Sequence, residues 1–239
     1  MRWHFFGYPR QMDLSSLLAS NAAYREFTDR QIEGAELFEI LDAARFAPSG
    51  GNRQGWRVVV IKDRQLREQI RDLYVLSWRE YMAHVVADLV PFAPMDAGQW
   101  RGPAVDLELA RDTPSPYGFS DHIDASPVML LVLVELSQLA VLDNGLDRQS
   151  IVGGASVYPF CHNILLAARE KGLGGVMTTV LCRQEKQVRR IIGFPEGFGI
   201  ASLVVLGEPK HEITRLRRRP VEEFVTIDRF DGEPFTSQA

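Results

Sequence analysis

Three runs of strand length carry almost no polar residue: Val58-Val59-Val60-Ile61, Pro127 to Val134 and Ile200 to Leu206. A strand with one wet face alternates apolar and polar side chains, so unbroken β-branched and Leu-rich runs read as strands covered on both faces. The covering helices are legible too. From Gly34 to Phe46, residues Leu37, Phe38, Ile40, Leu41, Ala44 and Phe46 recur mostly at helical spacing, behind the polar start Thr28-Asp29 and an acidic first turn at Glu33 and Glu36. Val157 to Lys171 carries Phe160, Ile164, Leu165, Ala167 and Ala168 and ends at Lys171-Gly172, a basic last turn before a C-cap glycine. Arg183 to Ile192 is a third, shorter helix, closed by Gly193-Phe194-Pro195-Glu196-Gly197. Strands and helices mixed along the chain without internal repeats predict an α/β or α+β domain.

Two stretches depart from this pattern. Trp78 to Ser120 sets Trp78, Tyr81, Phe92, Trp100, Tyr117 and Phe119 among several prolines, which predicts a helical start running into an irregular, aromatic-rich excursion. That excursion reads either as a surface subdomain or as a substrate lid. After Pro209 the tail is charged, with Arg215, Arg217, Arg218 and Arg219 before Pro220, and then the β-like Phe224-Val225-Thr226-Ile227.

The charge balance, 27 Lys and Arg against 31 Asp and Glu for a net −4, supplies no general field for nucleic acid or an anionic membrane, so any anion site has to be local. The longest apolar run, Val128 to Val134, is far short of a membrane span, and the start MRWHFFGYPRQMD lacks the continuous apolar stretch of a signal peptide. Cys161 and Cys182 are too few for a disulfide framework and too far apart for a redox pair; they read as core thiols in a reducing cytosol. No Ser/His/Asp or Cys/His grouping, HExxH, GxxxxGK[ST] or GxGxxG is present, which leaves hydrolase, zinc and dinucleotide-fold readings without a motif. His162, inside the apolar helix, reads as a core or interface residue.

Between the first helix and the first strand lies Pro48-Ser49-Gly50-Gly51-Asn52-Arg53-Gln54, a set of hydrogen-bonding groups on a loop whose glycines let something flat approach the backbone. Arg25-Glu26-Phe27-Thr28-Asp29 followed by Ala43-Ala44-Arg45-Phe46-Ala47-Pro48-Ser49-Gly50-Gly51-Asn52-Arg53-Gln54-Gly55-Trp56 resembles the N-terminal signature of the FMN-dependent nitroreductases in order and spacing. Asn163 to Val176 resembles that family's central helix and flavin-edge strand, and Ile192 to Gly197 and Leu206-Gly207-Glu208-Pro209 resemble its later turn and closing motif. The likeness runs from about Arg25 to Val225.

The resemblance implies an α+β fold, with a central, mainly antiparallel sheet flanked by helices in one domain spanning residues 1–239. Within it lie the excursion at about 78–122 and a C-terminal arm, about 210–239, extended onto a partner subunit. It implies a homodimer with FMN at the interface, reduced by NADPH or NADH and reoxidised in a ping-pong cycle through flavin N5 by a nitroaromatic or quinone-type acceptor, in the cytoplasm, with neither nucleic acid nor membrane as partner. Carried over by position, the cofactor residues are Arg25, Ser49 and Asn52 along the flavin and ribityl chain, Thr178 and Thr179 at the flavin edge, and Arg218 on the phosphate. The aromatics Tyr117 and Phe119 are expected over the open face as substrate contacts. No metal is implied, and the chemistry rests on FMN rather than on a protein acid or base. Where the family opens with Arg-x-Ser this chain has Asn21-Ala22-Ala23, which throws weight onto Arg218 and its neighbours. Gly55 replaces the usual proline, and the area of a family basic residue before the strand at Ala125-Ser126-Pro127 holds Ser120-Asp121-His122; His122 is a substitute contact or a surface residue. Two alternatives stand beside this reading. One is a flavin-binding or flavin-consuming protein without reductase turnover. The other, an iodotyrosine deiodinase, needs a lid lysine, and no lysine occurs between Lys62 and Lys171.

Overall fold

In a computed structural model, residues 12–93, 100, 102–115 and 118–238 are described. Four strands, β1 (Trp56–Val60), β2 (Val128–Glu135), β3 (Gly174–Thr178) and β4 (Phe198–Gly207), form one sheet in the order β1-β2-β4-β3 with every neighbouring pair antiparallel. Helices α2 (Gly34–Ala44) and α5 (Tyr158–Glu170) cover one face, while α3 (Arg64–Val86) and α6 (Glu185–Ile192) cover the other. The short helices α1 (Leu14–Ser20) and α4 (Leu107–Arg111) lie outside these layers.

The apolar run of β2 is explained by this sandwiching. Val128, Leu130, Val132 and Val134 enter the core under α2 and α5, whereas Met129, Leu131 and Leu133 enter the core under α3. β4 does the same with one irregularity: the register slips between Val132 and Leu133, so Ala201 joins the α5 side and Ser202 next to it also points there, its Oγ 3.3 Å from Cys161 Sγ. A bulge of this kind leaves two successive residues on one face. Burial of the Cys161 thiol pushes its pKa up, as expected for a core cysteine, but Cys182 is exposed, because it falls in the surface turn Val180–Gln184 between β3 and α6. His162 likewise is exposed rather than core: at 100° per residue it shares the outer side of α5 with Tyr158 and Glu170, opposite Cys161, Ile164 and Ala168.

α3 is much longer than the helical start foreseen at Trp78. Asp63 caps it, accepting from Leu66 N at 2.8 Å, and its inward side is a narrow stripe of Ile70, Tyr74, Ser77, Trp78 and His84 in an otherwise charged helix. The tail after Val221 forms a small closure on itself, with Ile227 N donating to Glu233 O and Phe235 N to Val225 O, each at 2.9 Å, in place of a longer strand.

Candidate functional site

The segment 22–28 lies along the β3 edge of the sheet, and glycines let it lie close. Tyr24 N donates to Gly175 O at 3.0 Å and Thr28 N to Glu208 O at 2.8 Å. The Tyr24 ring covers Gly174 and the Phe27 ring covers Gly207, two glycines paired in register; a Cβ on either would meet ring carbons at 2.5–2.6 Å. Tyr24 is further held by its hydroxyl, which shares its proton between Ser20 O and Ile213 O and accepts from Ile213 N, all at 3.2 Å. Arg169, buried on α5, donates to Ser20 Oγ and to Glu212 and lies against the Tyr24 ring, tying α1, the start of the arm and this segment together. Between the two anchored rings, Arg25 stays exposed, with its guanidinium 5.7 Å from the centre of the Phe119 ring.

The facing wall is set by Arg67. Its guanidinium, held by α3, donates to Ile61 O, Asp124 O and Ser126 O at 3.0, 3.1 and 2.7 Å and so staples the turn Ser120–Ala125 to the helix. Burial lowers the Arg67 pKa. This fixes Phe119, 4% exposed and edge-on to Tyr74 and Trp78, and places His122 at the mouth. The resulting cavity of about 300 Å³ is lined by Arg25, Phe27, Phe119, His122, Ser126 and Lys210 among others. Arg25 and Lys210 bring two fixed positive charges to this opening, against one carboxylate at Glu26, with the His122 imidazole beside them. Thr178, at the end of β3, is buried with its Oγ1 3.1 Å from the Tyr74 hydroxyl. Burial pushes the Tyr74 phenol up, so it stays neutral. The Thr178 hydroxyl is thus engaged and its backbone pairs with Leu203 of β4, while Thr179, exposed, follows directly.

The other expected residues lie elsewhere. Ser49 and Asn52 precede β1, on the opposite edge from β3, across three strand spacings or roughly 14 Å of sheet. Their loop is fixed by Ser49 Oγ accepting from Gln54 N and by Gly50 N donating to Ser156 Oγ, both at 3.0 Å. It holds Gly51, Asn52 and Gln54 at φ of 60, 53 and 52°, left-handed values that are costly for Gln and that recur at ligand sites. Arg218 is exposed, two residues beyond Leu216, whose N donates to Ala19 O at 2.7 Å; the arginine run therefore begins beside the Asn21-Ala22-Ala23 stretch. Tyr117 lies outside the described residues. Lys210 was not foreseen as a site residue. It reaches the cavity only because its N donates to Glu26 O at 3.1 Å, a pairing between distant segments that no local motif announces.

A family model for the nitroreductase family matches residues 19–208. The chain belongs to the nitroreductase family, whose members are oxidoreductases. It is 26% identical over 214 residues to a NADH dehydrogenase of Thermus thermophilus, covering 90% of this chain and 95% of that one. It is also 23% identical over 222 residues to iodotyrosine deiodinase 1 of Homo sapiens, covering 90% of this chain and 68% of the relative. Among solved structures, the NADPH:FMN oxidoreductase from Vibrio harveyi superposes with a TM-score of 0.62 at 18% identity, over 90% of this chain and 76% of that one.

Proposed function

We propose that the chain is an FMN-dependent, NAD(P)H-consuming oxidoreductase that reduces nitroaromatic or quinone-type acceptors and works as a homodimer in the cytoplasm. The observation that carries this reading is the split donor set. Arg25, Thr178 and Thr179 gather at the β3 edge, while the strained Ser49–Gln54 loop sits at the β1 edge. In this reading the loop that completes each flavin site comes from a second copy. Exposed apolar side chains fit such a pairing: Phe38 on α2 and Phe46 just after it are 70% and 73% exposed, and Phe230 in the arm is fully so.

The donor types suit FMN. Guanidinium and imidazole match the oxygen-bearing edge of a flavin ring, and the run Arg215 to Arg219 matches a phosphate dianion. Bound FMN would supply the two-electron chemistry. The chain's own part is to bind and orient. Arg25, steadied by the Tyr24 and Phe27 rings, supplies fixed positive charge; Thr178, held to Tyr74 and β4, sets the exposed Thr179 at the flavin edge; Phe119 closes the wall and excludes water; Arg218 takes over the charge missing at Asn21 to Ala23. If nicotinamide and acceptor use the same opening in turn, the order is ping-pong. The likeness to the NADPH:FMN oxidoreductase of Vibrio harveyi and the NADH dehydrogenase of Thermus thermophilus supports the cofactor and the reductant. Reductive dehalogenation is the second reading, supported by the deiodinase relative and opposed by the lysine-free stretch between Lys62 and Lys171.

A visible spectrum of the purified protein, anaerobic titration with NADPH and NADH, and light scattering at micromolar concentration test the proposal together. A bleachable flavin band, reoxidation by a quinone and a dimer mass are expected. Flavin that neither nucleotide reduces would leave a flavin-binding protein without turnover, and an active, flavin-loaded monomer would refute the shared site.

A further inference from the structure

Where Leu89 to Ala93 follow the last turn of α3, a cleft of about 260 Å³ opens that shares no lining residue with the Arg25 cavity among the described residues. Its described walls are Leu89, Val90, Phe92, Ala93, Trp100 and Ala104, with one imidazole, His84, among them. His84 is 1% exposed. Its Nδ1 lies 2.8 Å from Glu80 O, which can only accept, so Nδ1 carries the proton and Nε2 of the neutral ring is left as an acceptor. Nε2 is buried and has no hydrogen-bond partner among the described residues. A buried acceptor without a partner is costly, and native structures hold few of them. The walls are braced around it: the Arg183 guanidinium packs on Phe92 and Trp100 at 4.9 and 4.6 Å and pairs with Glu80 at 3.3 Å, on the same helix as His84.

We propose that this cleft binds a small neutral aromatic alcohol of the phenol class, its ring among Phe92, Trp100 and Leu89 and its O–H donating to His84 Nε2. Size, polarity and shape each restrict the ligand. An apolar cavity of about 150 Å³ admits benzene, so this one holds a single substituted ring or a fused pair. Apolar walls disfavour an ion, and flat aromatic walls favour a flat guest. His84 lines the cleft and its Nε2 lacks a donor, so a small shift of the ring on α3 lets one hydroxyl at the tip of the guest supply it. The site stands apart from the flavin reading and is expected with or without FMN bound.

Calorimetric titration of the purified protein with phenol and with toluene tests it, using the wild type, His84→Phe and Ala104→Trp. Phenol should bind saturably to the wild type. His84→Phe should weaken phenol by roughly five- to tenfold, the weight of one buried neutral hydrogen bond, and leave toluene within about twofold. Ala104→Trp, which fills the cleft and leaves His84 in place, should abolish both. In wild-type protein, phenol but not toluene should shift the His84 Nε2 nitrogen resonance, a readout that needs no variant to fold. Absence of saturable phenol binding, phenol affinity indifferent to His84→Phe, binding that survives Ala104→Trp, or an unmoved Nε2 resonance would each overturn the proposal.

Discussion

Gly174→Ala is the sharpest probe of how the chain aims Arg25. The new Cβ would sit 2.5 Å from Tyr24 Cδ2, 2.6 Å from Cγ and 3.0 Å from Cβ, where ordinary contact begins at 3.4 Å. The ring must therefore retreat by nearly 1 Å. Tyr24 has little freedom to do so, since its hydroxyl bonds at 3.2 Å to Ser20 and Ile213 already lie near the limit for such bonds. Overpacking of this kind costs about 1–3 kcal/mol, and loss of one neutral hydrogen bond adds about 1 kcal/mol, so the expected total is about 2–4 kcal/mol. For a chain of this length that is a fall in Tm of roughly 5–15 °C. Thermal melts followed by circular dichroism measure it, and Tyr24→Ala closes the argument: with the ring gone the methyl has room, so the double variant should be less destabilised than the sum of the singles by at least about 1 kcal/mol. FMN retention should fall with Gly174→Ala, because Arg25 is the next residue after the displaced ring. A Tm within about 2 °C of the wild type, or strict additivity with Tyr24→Ala, would show that the glycine does not set this contact.

Arg218→Ala should weaken FMN retention markedly, since a charge-assisted phosphate contact is worth about 1.5–3 kcal/mol; an unchanged affinity in a dialysis titration removes Arg218 from the site. Phe119→Ala should lower stability by about 3–5 kcal/mol, because the ring is buried against Tyr74 and Trp78. Acceptor KM or kcat measured well below the melting temperature tells whether the ring also meets substrate: kinetics that match the wild type leave it only a structural role. Asp143 accepts from Ile151 N, Ser150 Oγ and Arg148, and these bonds, the Ile151 N–H foremost, hold its carboxyl well below the usual range. A depressed folded value means that the stabilisation is present above the unfolded pKa of about 4 and is lost as pH falls below it. Asp143→Asn should accordingly speed proteolysis of the 139–151 loop at pH 7 and shrink the wild type's own acid sensitivity there; equal cleavage rates for the two proteins at pH 7 would contradict the assignment.

The sheet and its main helices were legible because a strand buried on both faces cannot hide its composition. The runs at Val58, Pro127 and Ile200 became β1, β2 and β4 within a residue or two, and the periodic stretches at Gly34 and Val157 became α2 and α5. α3 was missed over its first half although Asp63 and the spacing of Ile70, Tyr74, Ser77 and Trp78 were there to read, since a stripe that narrow is swamped by the charged residues around it. The motif residues of the candidate site could be named from order and spacing along the chain. Their arrangement could not. Whether Arg25 meets Phe119, whether Lys210 joins them, and whether Ser49 and Asn52 lie near or far depend on which segments the sheet order brings side by side, and strand order is decided by long-range packing that leaves no local mark. The same holds for Gly174 and Gly207: the sequence shows two glycines, and only the folded chain shows the two aromatic rings that require them.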